Sequence, residues 1–171
     1  MSISTRLGDD GTTEIRGGKR FPKDHPRIEC LGALDELNAF VGNARCALGR
    51  ERSGTILERV QRELGTIAGI LALPAPAETG AAGAAGAEPA PEIDETWIDD
   101  WIRVFEGEVP FRGFVLPGSN PVSAKLDMAR TVCRRAERRL VTLHRLEGTP
   151  PSILRYLNRL SDLLFLLARA A

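Results

Sequence analysis

The sequence predicts an all-α fold, a five-helix bundle preceded by an extended N-terminal arm. Apolar residues recur at alternating three- and four-residue spacing in five separate segments, the signature of helices that bury one side. Aromatic residues make up only 5% of the chain while leucine and alanine abound, which favours helices over a β-sandwich. Prolines fall at the ends of the periodic segments rather than inside them. A length of 171 residues suits one domain, 1–171, able to bury a real core.

Residues 1–27 carry Gly8, Gly11, Gly17 and Gly18 among threonines and charges, with no helical stripe, and are expected to form a loop-like arm. A first helix is expected over 28–49, with Ile28, Leu31, Leu34, Leu37, Val41, Ala44 and Leu48 on its buried side. A second runs over 54–73, with Ile56, Val60, Leu64, Ile67 and Leu71 in phase, and Pro74 stops it. Residues 74–92 are nearly all Ala, Gly, Pro and Glu, offer little to bury, and are expected to be a mobile loop. A shorter helix follows over 93–107 with Ile93, Trp97, Trp101 and Phe105. Asn120 then reads as an N-cap and Pro121 as the first residue of a helix over 121–146, which Gly148, Pro150 and Pro151 end. The last helix starts near Ser152, with Ile153, Leu157, Leu160, Leu164 and Leu167 on its apolar face. Short or loose connections between such segments make a bundle.

Basic and acidic residues are equal in number, 23 each, so no global basic field gathers nucleic acid or a membrane surface, and any anion site must be local. Cys30, Cys46 and Cys133 lack metal-ligand spacing and are expected as reduced thiols in a cytoplasmic protein. His25 and His144 form no zinc motif. No apolar run reaches membrane-spanning length; the last, Leu163 to Ala171, is broken by Arg169. No signal or transit peptide is expected.

The segment Ala129-Arg-Thr-Val-Cys-Arg-Arg-Ala-Glu-Arg138 is the most informative. Arg130, Arg134 and Glu137 share a face beside the stripe of Leu126, Ala129, Cys133, Ala136, Leu140 and Leu143. Arginines at the rim of a core suit an anion such as a polyphosphate. Taken alone, such residues more often form solvated surface pairs, as would Asp35-Glu36-Asn38. Arg159 and Asp162 can pair along the last helix, and Phe114 alone reads as core. In the arm, Gly18-Lys19 is no P-loop: Thr13 stands at the first motif glycine, Arg20 follows the lysine, and no strand is expected before it. The arm is either a flexible tail or a nest of donors around phosphate built from Thr5, Gly8, Asp9, Gly11 and Thr13 with Lys19 or Lys23, Asp9 helping to hold magnesium.

Five blocks in this order carry a resemblance: Thr5-Arg-Leu-Gly-Asp-Asp-Gly-Thr-Thr13, Gly32-Ala-Leu-Asp-Glu-Leu-Asn38, Phe114-Val-Leu-Pro117, Ala129 to Arg138, and Tyr156-Leu-Asn-Arg-Leu-Ser-Asp162. The chain resembles the PduO-type ATP:cob(I)alamin (corrinoid) adenosyltransferases. The resemblance implies a ferritin-like five-helix bundle, a homotrimer with active sites between subunits, and transfer of the 5′-deoxyadenosyl group of ATP to cob(I)alamin, giving adenosylcobalamin and triphosphate. It implies Mg2+ on the ATP phosphates, a reductase that supplies the electron, and an adenosylcobalamin-dependent acceptor enzyme. By resemblance, Arg134 binds the polyphosphate, Glu137 and Asn158 belong to the ATP site, and the arm with Lys23 wraps the triphosphate from the adjacent subunit. Asp35 and Arg130 match a pair that bridges subunits beside cobalamin, and Phe114 matches an aromatic that excludes the lower axial base of cobalt.

Three departures stand out. Asp127 occupies a position where the family commonly has histidine, Ser119 replaces a second glycine, and the chain stops at Ala171 where many relatives continue. The rival expectations are a non-catalytic cobalamin carrier or ATP-responsive chaperone on the same scaffold, and an interaction bundle with neither ligand.

Overall fold

In the computed structural model, the predicted apolar stripes close on one another as five helices, among the described residues 4–73, 93–110 and 113–171. They are α1 (Pro26–Leu48), α2 (Arg52–Leu71), α3 (Thr96–Glu108), α4 (Pro121–Glu147) and α5 (Pro151–Ala170). α4 packs against both α1 and α5, α1 against α2, and α5 against α3, so α4 is central. This order follows from apolar content: α5 buries Ile153, Tyr156, Leu157, Leu160, Leu163, Leu164, Leu166 and Leu167, enough to face two neighbours. Each leucine so buried contributes roughly 1.5–3 kcal/mol relative to exposure. The stretch 74–92, expected to be a mobile loop, lies outside the described residues.

Helix ends obey local chemistry. The Asn120 side chain accepts from the backbone N–H groups of Val122 and Ser123, both at 2.9 Å, and Pro121 opens the helix as expected. His25 caps α1 in the same way, accepting from the Arg27 N–H at 3.2 Å. Between α1 and α2 the chain turns so tightly that a Cβ on Gly54 would lie 2.1 Å from the Gly49 carbonyl oxygen. Only glycine fits there.

Several boundaries and contacts differ from expectation. α1 starts at Pro26 and rotates toward Arg27, Cys30 and Ala33, leaving Ile28 only half-buried. In α3, Ile98 is fully buried, whereas Trp101 is partly buried. The arm is not wholly loop-like: β1 (Thr12–Glu14) pairs antiparallel with β2 (Arg20–Pro22), Thr13 opposite Phe21. A strand therefore does precede Gly17-Gly18-Lys19. The P-loop remains excluded because a second strand, not a helix, follows. Phe21 is buried, and its ring packs against His25 at 4.6 Å.

The arm is rooted at the junction of α1 and α4. Arg27, almost fully buried, donates from Nε to Glu147 Oε2 at 2.8 Å and reaches the carbonyls of Leu71 and Leu73. Cys30 and Cys133 are buried free thiols and Cys46 an exposed one. Burial, and secondarily Glu147, pushes the Cys30 thiol up to about 12, which suits packing rather than reactivity. Among the described residues no helix is long and apolar enough to cross a membrane.

Candidate functional site

Helical spacing places Arg134 and Glu137 one turn apart on α4, and α5 brings Asn158 alongside. Asn158 Nδ2 donates to Glu137 Oε1 at 3.2 Å. Asp162, one turn further along α5, senses the same group. Desolvation raises its carboxyl above the ordinary value, Arg134 opposes the rise, and Glu137 and Glu106 add to it. Arg134 itself is exposed and, among the described residues, makes no ion pair. Its neighbours on the helix differ: Arg135 pairs with Glu36, and Arg139 with Glu29 at 3.4 Å. Those two behave as the solvated surface pairs expected of such spacing, whereas Arg134 makes no such pair among the described residues. Arg159 pairs with Asp99 of α3 at 2.8 Å rather than with Asp162, correcting the intrahelical pairing expected from the sequence. The tertiary partner wins because α3 presents a carboxylate whose two oxygens both accept from the Arg159 Nε–H, a charge-assisted contact.

The arm organises itself through its own polar groups. Asp10 accepts from the Thr12 hydroxyl at 2.7 Å and from the Thr12 N–H at 2.9 Å, and these bonds, ahead of Arg20, hold its carboxyl below the ordinary value. Arg20 Nε donates to Thr12 Oγ1 at 3.1 Å. Lys23 Nζ donates to the Gly8 carbonyl at 2.7 Å, and its backbone N–H to Gly11 O at 2.9 Å. A Cβ on Gly8 would come within 3.1 Å of Lys23 Nζ and 3.2 Å of the Thr12 carbonyl. Gly11 is left-handed at φ 81°, a value that favours glycine. Thr5, Asp9 and Gly11 are exposed, Thr13 lies in β1, and Lys19 rests over the Phe21 ring at 4.8 Å. Among the described residues no group of three His, Cys, Asp or Glu side chains could hold a metal ion.

Phe114 is 90% exposed and Leu116 77% exposed, so the core reading of Phe114 is corrected. The loop they occupy precedes Asn120 and is tied below by a buried carboxylate. Asp127 Oδ2 accepts from the Gly118 N–H at 3.2 Å and from Arg169 Nη2, while its Oδ1 faces Arg130 Nε at 3.4 Å. Arg169 also donates to Ser123 Oγ at 3.1 Å and stacks over Phe165 at 5.3 Å. Asn120 Nδ2 donates to the Ala171 carbonyl at 3.0 Å.

Within one chain the structure thus joins Arg134, Glu137 and Asn158, and brings Phe114 and Arg130 to a shared support. It does not join Asp35 to Arg130: Asp35 is exposed on α1 and, among the described residues, makes no ion pair. Nor does it bring the arm to Arg134, which lies about 20 Å along the axis of α4 from Glu147 at the arm's root. Sequence reasoning missed Asp10, Arg20, Asp162 and Arg169 as parts of these clusters. Arg169 carried a usable signal, since an arginine in the otherwise apolar run from Leu163 to Ala171 demands a buried partner.

Comparison with known proteins bears on the family and the fold. The cobalamin adenosyltransferase family model matches residues 3–171. The corrinoid adenosyltransferase PduO of Salmonella typhimurium is 40% identical over 170 residues, covering 99% of this chain and 49% of the relative. Its counterpart from Citrobacter freundii is 40% identical over 177 residues, covering 99% and 50%. The chain therefore spans about half the length of these two relatives. The corrinoid adenosyltransferase of Bacillus subtilis is 38% identical over 174 residues, covering 99% and 86%. Among solved structures, a variant PduO-type ATP:corrinoid adenosyltransferase from Lactobacillus reuteri, complexed with cobalamin and ATP, superposes with a TM-score of 0.85 at 33% identity, covering 98% of this chain and 92% of that one.

Proposed function

The chain belongs to the cobalamin adenosyltransferase family, and from that premise we propose that it transfers the 5′-deoxyadenosyl group of ATP to the Co(I) centre of a reduced corrinoid. The cobalt electron pair forms a bond to C5′, the C5′–O bond breaks, and triphosphate departs with the electrons of the broken bond. Cob(I)alamin is itself a powerful nucleophile, so the protein needs no activated side chain. Its tasks are to position two substrates and to stabilise an anionic leaving group.

The observation that carries this reading is the exposed Arg134, which makes no ion pair among the described residues, beside the Glu137–Asn158 contact. Arg134 neutralises charge that develops on the departing triphosphate, and Glu137 with Asn158 orients the nucleotide. The arm, with Thr5, Gly8, Asp9, Gly11, Thr13, Lys19 and Lys23, encloses the phosphates. Its distance along α4 from Arg134 supports an arm supplied by a neighbouring subunit, hence a homotrimer with sites between subunits, where Asp35 of one subunit meets Arg130 of another. Exposed Asp9 fits a magnesium ion that the phosphates and water largely coordinate; such an ion supplies positive charge against the triphosphate. Asp10 is committed to Thr12 and Arg20.

Phe114 stands where an aromatic face excludes the lower axial base, and loss of that σ-donor makes Co(II) easier to reduce. A reductase supplies that electron, an adenosylcobalamin-dependent enzyme accepts the product, and the reaction takes place in the cytoplasm. An anaerobic assay with reduced cobalamin, ATP and magnesium tests the proposal. Adenosylated corrinoid and triphosphate should appear in equal amounts. Binding of both substrates without product would leave a carrier instead.

A further inference from the structure

The loop that carries Phe114 cannot hold its place by burying its own apolar side chains, because Phe114 and Leu116 both face solvent. Its anchorage is polar. The Gly118 N–H, donated to Asp127 at 3.2 Å, ties the loop to a carboxylate whose side chain is 6% exposed. Pro117, next to that anchor, fixes φ and stiffens the path back to Phe114, while Gly118 turns with φ at 85°.

The charge on Asp127 is matched from the far end of the chain. Arg169, in the last turn of α5 and with its side chain only 7% exposed, pairs with the same Oδ2 atom that receives the Gly118 N–H. Arg169 Nε has no hydrogen-bond partner among the described residues, so Asp127 supplies the main compensation for that buried charge. The other oxygen of Asp127 faces Arg130 Nε at 3.4 Å. One carboxylate therefore meets the loop, α4 and α5. Buried ion pairs seldom add net stability over well-packed apolar residues, so the value of this pair lies in the geometry it imposes.

We propose that Asp127 and Arg169 are positioning residues for the corrinoid side of the reaction, a latch that fixes the 114–120 loop against the end of α5 and so sets where Phe114 and Arg130 stand. The latch rests on the adenosyltransferase reading above. It touches none of Arg134, Glu137 or Asn158, so it should govern corrinoid binding and cobalt coordination while leaving the nucleotide alone.

The test uses the full chain with Asp127→Asn, Arg169→Met and Arg169→Lys. Circular dichroism first establishes that each variant is folded. In Asp127→Asn and Arg169→Met, KM for the reduced corrinoid should rise about 10-fold or more, as expected of a group misplaced by a fraction of an ångström. The spectroscopic signal of four-coordinate Co(II) should fall in parallel, with ATP affinity within about twofold of wild type. Arg169→Lys, which restores a charge, should recover part of both losses.

Folded variants with unchanged corrinoid KM and unchanged four-coordinate signal would overturn the latch, as would equal losses in ATP and corrinoid binding, which mean general loosening. A check independent of variants is amide exchange in the wild-type protein: Gly118 should exchange more slowly than Gly113, and equal rates would also overturn it. A wild-type protein that forms no adenosylated product would sink the activity itself, and the latch with it; an active wild type with unaffected variants sinks the latch alone.

Discussion

Asn158 on α5 donates to Glu137 on α4 across 3.2 Å, beside the turn from which Arg134 extends with no ion pair among the described residues. The contact makes one unit of two helices that are separated in sequence by the α4–α5 turn. Residues in such contact lose their effects jointly. Asn158→Ala and Glu137→Gln should each weaken ATP binding, and the double variant should lose less than the two combined, with a coupling of about 0.5–3 kcal/mol. Isothermal titration with ATP reads the cycle; additive losses would mean that the two side chains act separately.

Exposed residues that serve chemistry should be separable from the fold. Arg134→Ala is predicted to lower turnover about 100-fold or more, the scale of losing one group that stabilises developing charge. Phe114→Ala should retain ATP affinity and lose the four-coordinate Co(II) signal. Both should unfold within a few degrees of wild type, because surface substitutions usually shift stability by no more than about 0.5 kcal/mol. A large drop in Tm would assign either residue to packing.

The arm predicts a different pattern. In Gly8→Ala the new Cβ would press on the Thr12 carbonyl at 3.2 Å, a backbone atom that cannot swing away as Lys23 can. ATP affinity should fall while thermal unfolding of the bundle stays put. Wild-type affinity in this variant would show that the arm's close approach is unrelated to nucleotide binding.

Stability should be most sensitive at the arm's root. Arg27→Ala leaves Glu147 without its buried partner and frees the carbonyls of Leu71 and Leu73. Breaking such a pair costs about 3 kcal/mol, measurable as a lower denaturant midpoint. A midpoint unchanged from wild type would mean that water reaches Glu147 freely.

Asp162 gives the pH dependence. Its folded carboxyl is raised above 3.8, first by desolvation. The folded state therefore holds this proton more tightly than the unfolded state, and ionising the group works against folding. Asp162→Asn should stabilise the protein at neutral pH, and the gain should shrink as pH falls through the raised value toward 3.8. Thermal scans of both proteins across that range test the sign; a variant less stable than wild type at neutral pH would show that the Asp162–Arg134 attraction outweighs desolvation.

Much of this molecule is legible along the chain. Asn120 and Pro121 mark the start of α4 because capping is settled within three residues. The hairpin was missed although Gly17 and Gly18, both at positive φ, supply its turn. Strands of three residues are too short to show alternation, yet a glycine pair between two extended stretches is itself a hairpin signal. Helical spacing put Arg134 and Glu137 on one face, but only family likeness gave that face a nucleotide, because spacing alone cannot tell a ligand site from solvated surface pairs.

The sequence by itself determined the all-α class, the helical stripes, the capped start of α4 and the family. Those properties are local, set by side-chain period and backbone chemistry over a few residues. Tertiary structure alone decided that Arg159 answers Asp99, that Phe114 faces solvent, and that Asp127 meets Arg169 beneath the Gly118 turn. Such partners lie tens of residues apart, and which charge finds which depends on how the helices pack, a global outcome that no local period encodes.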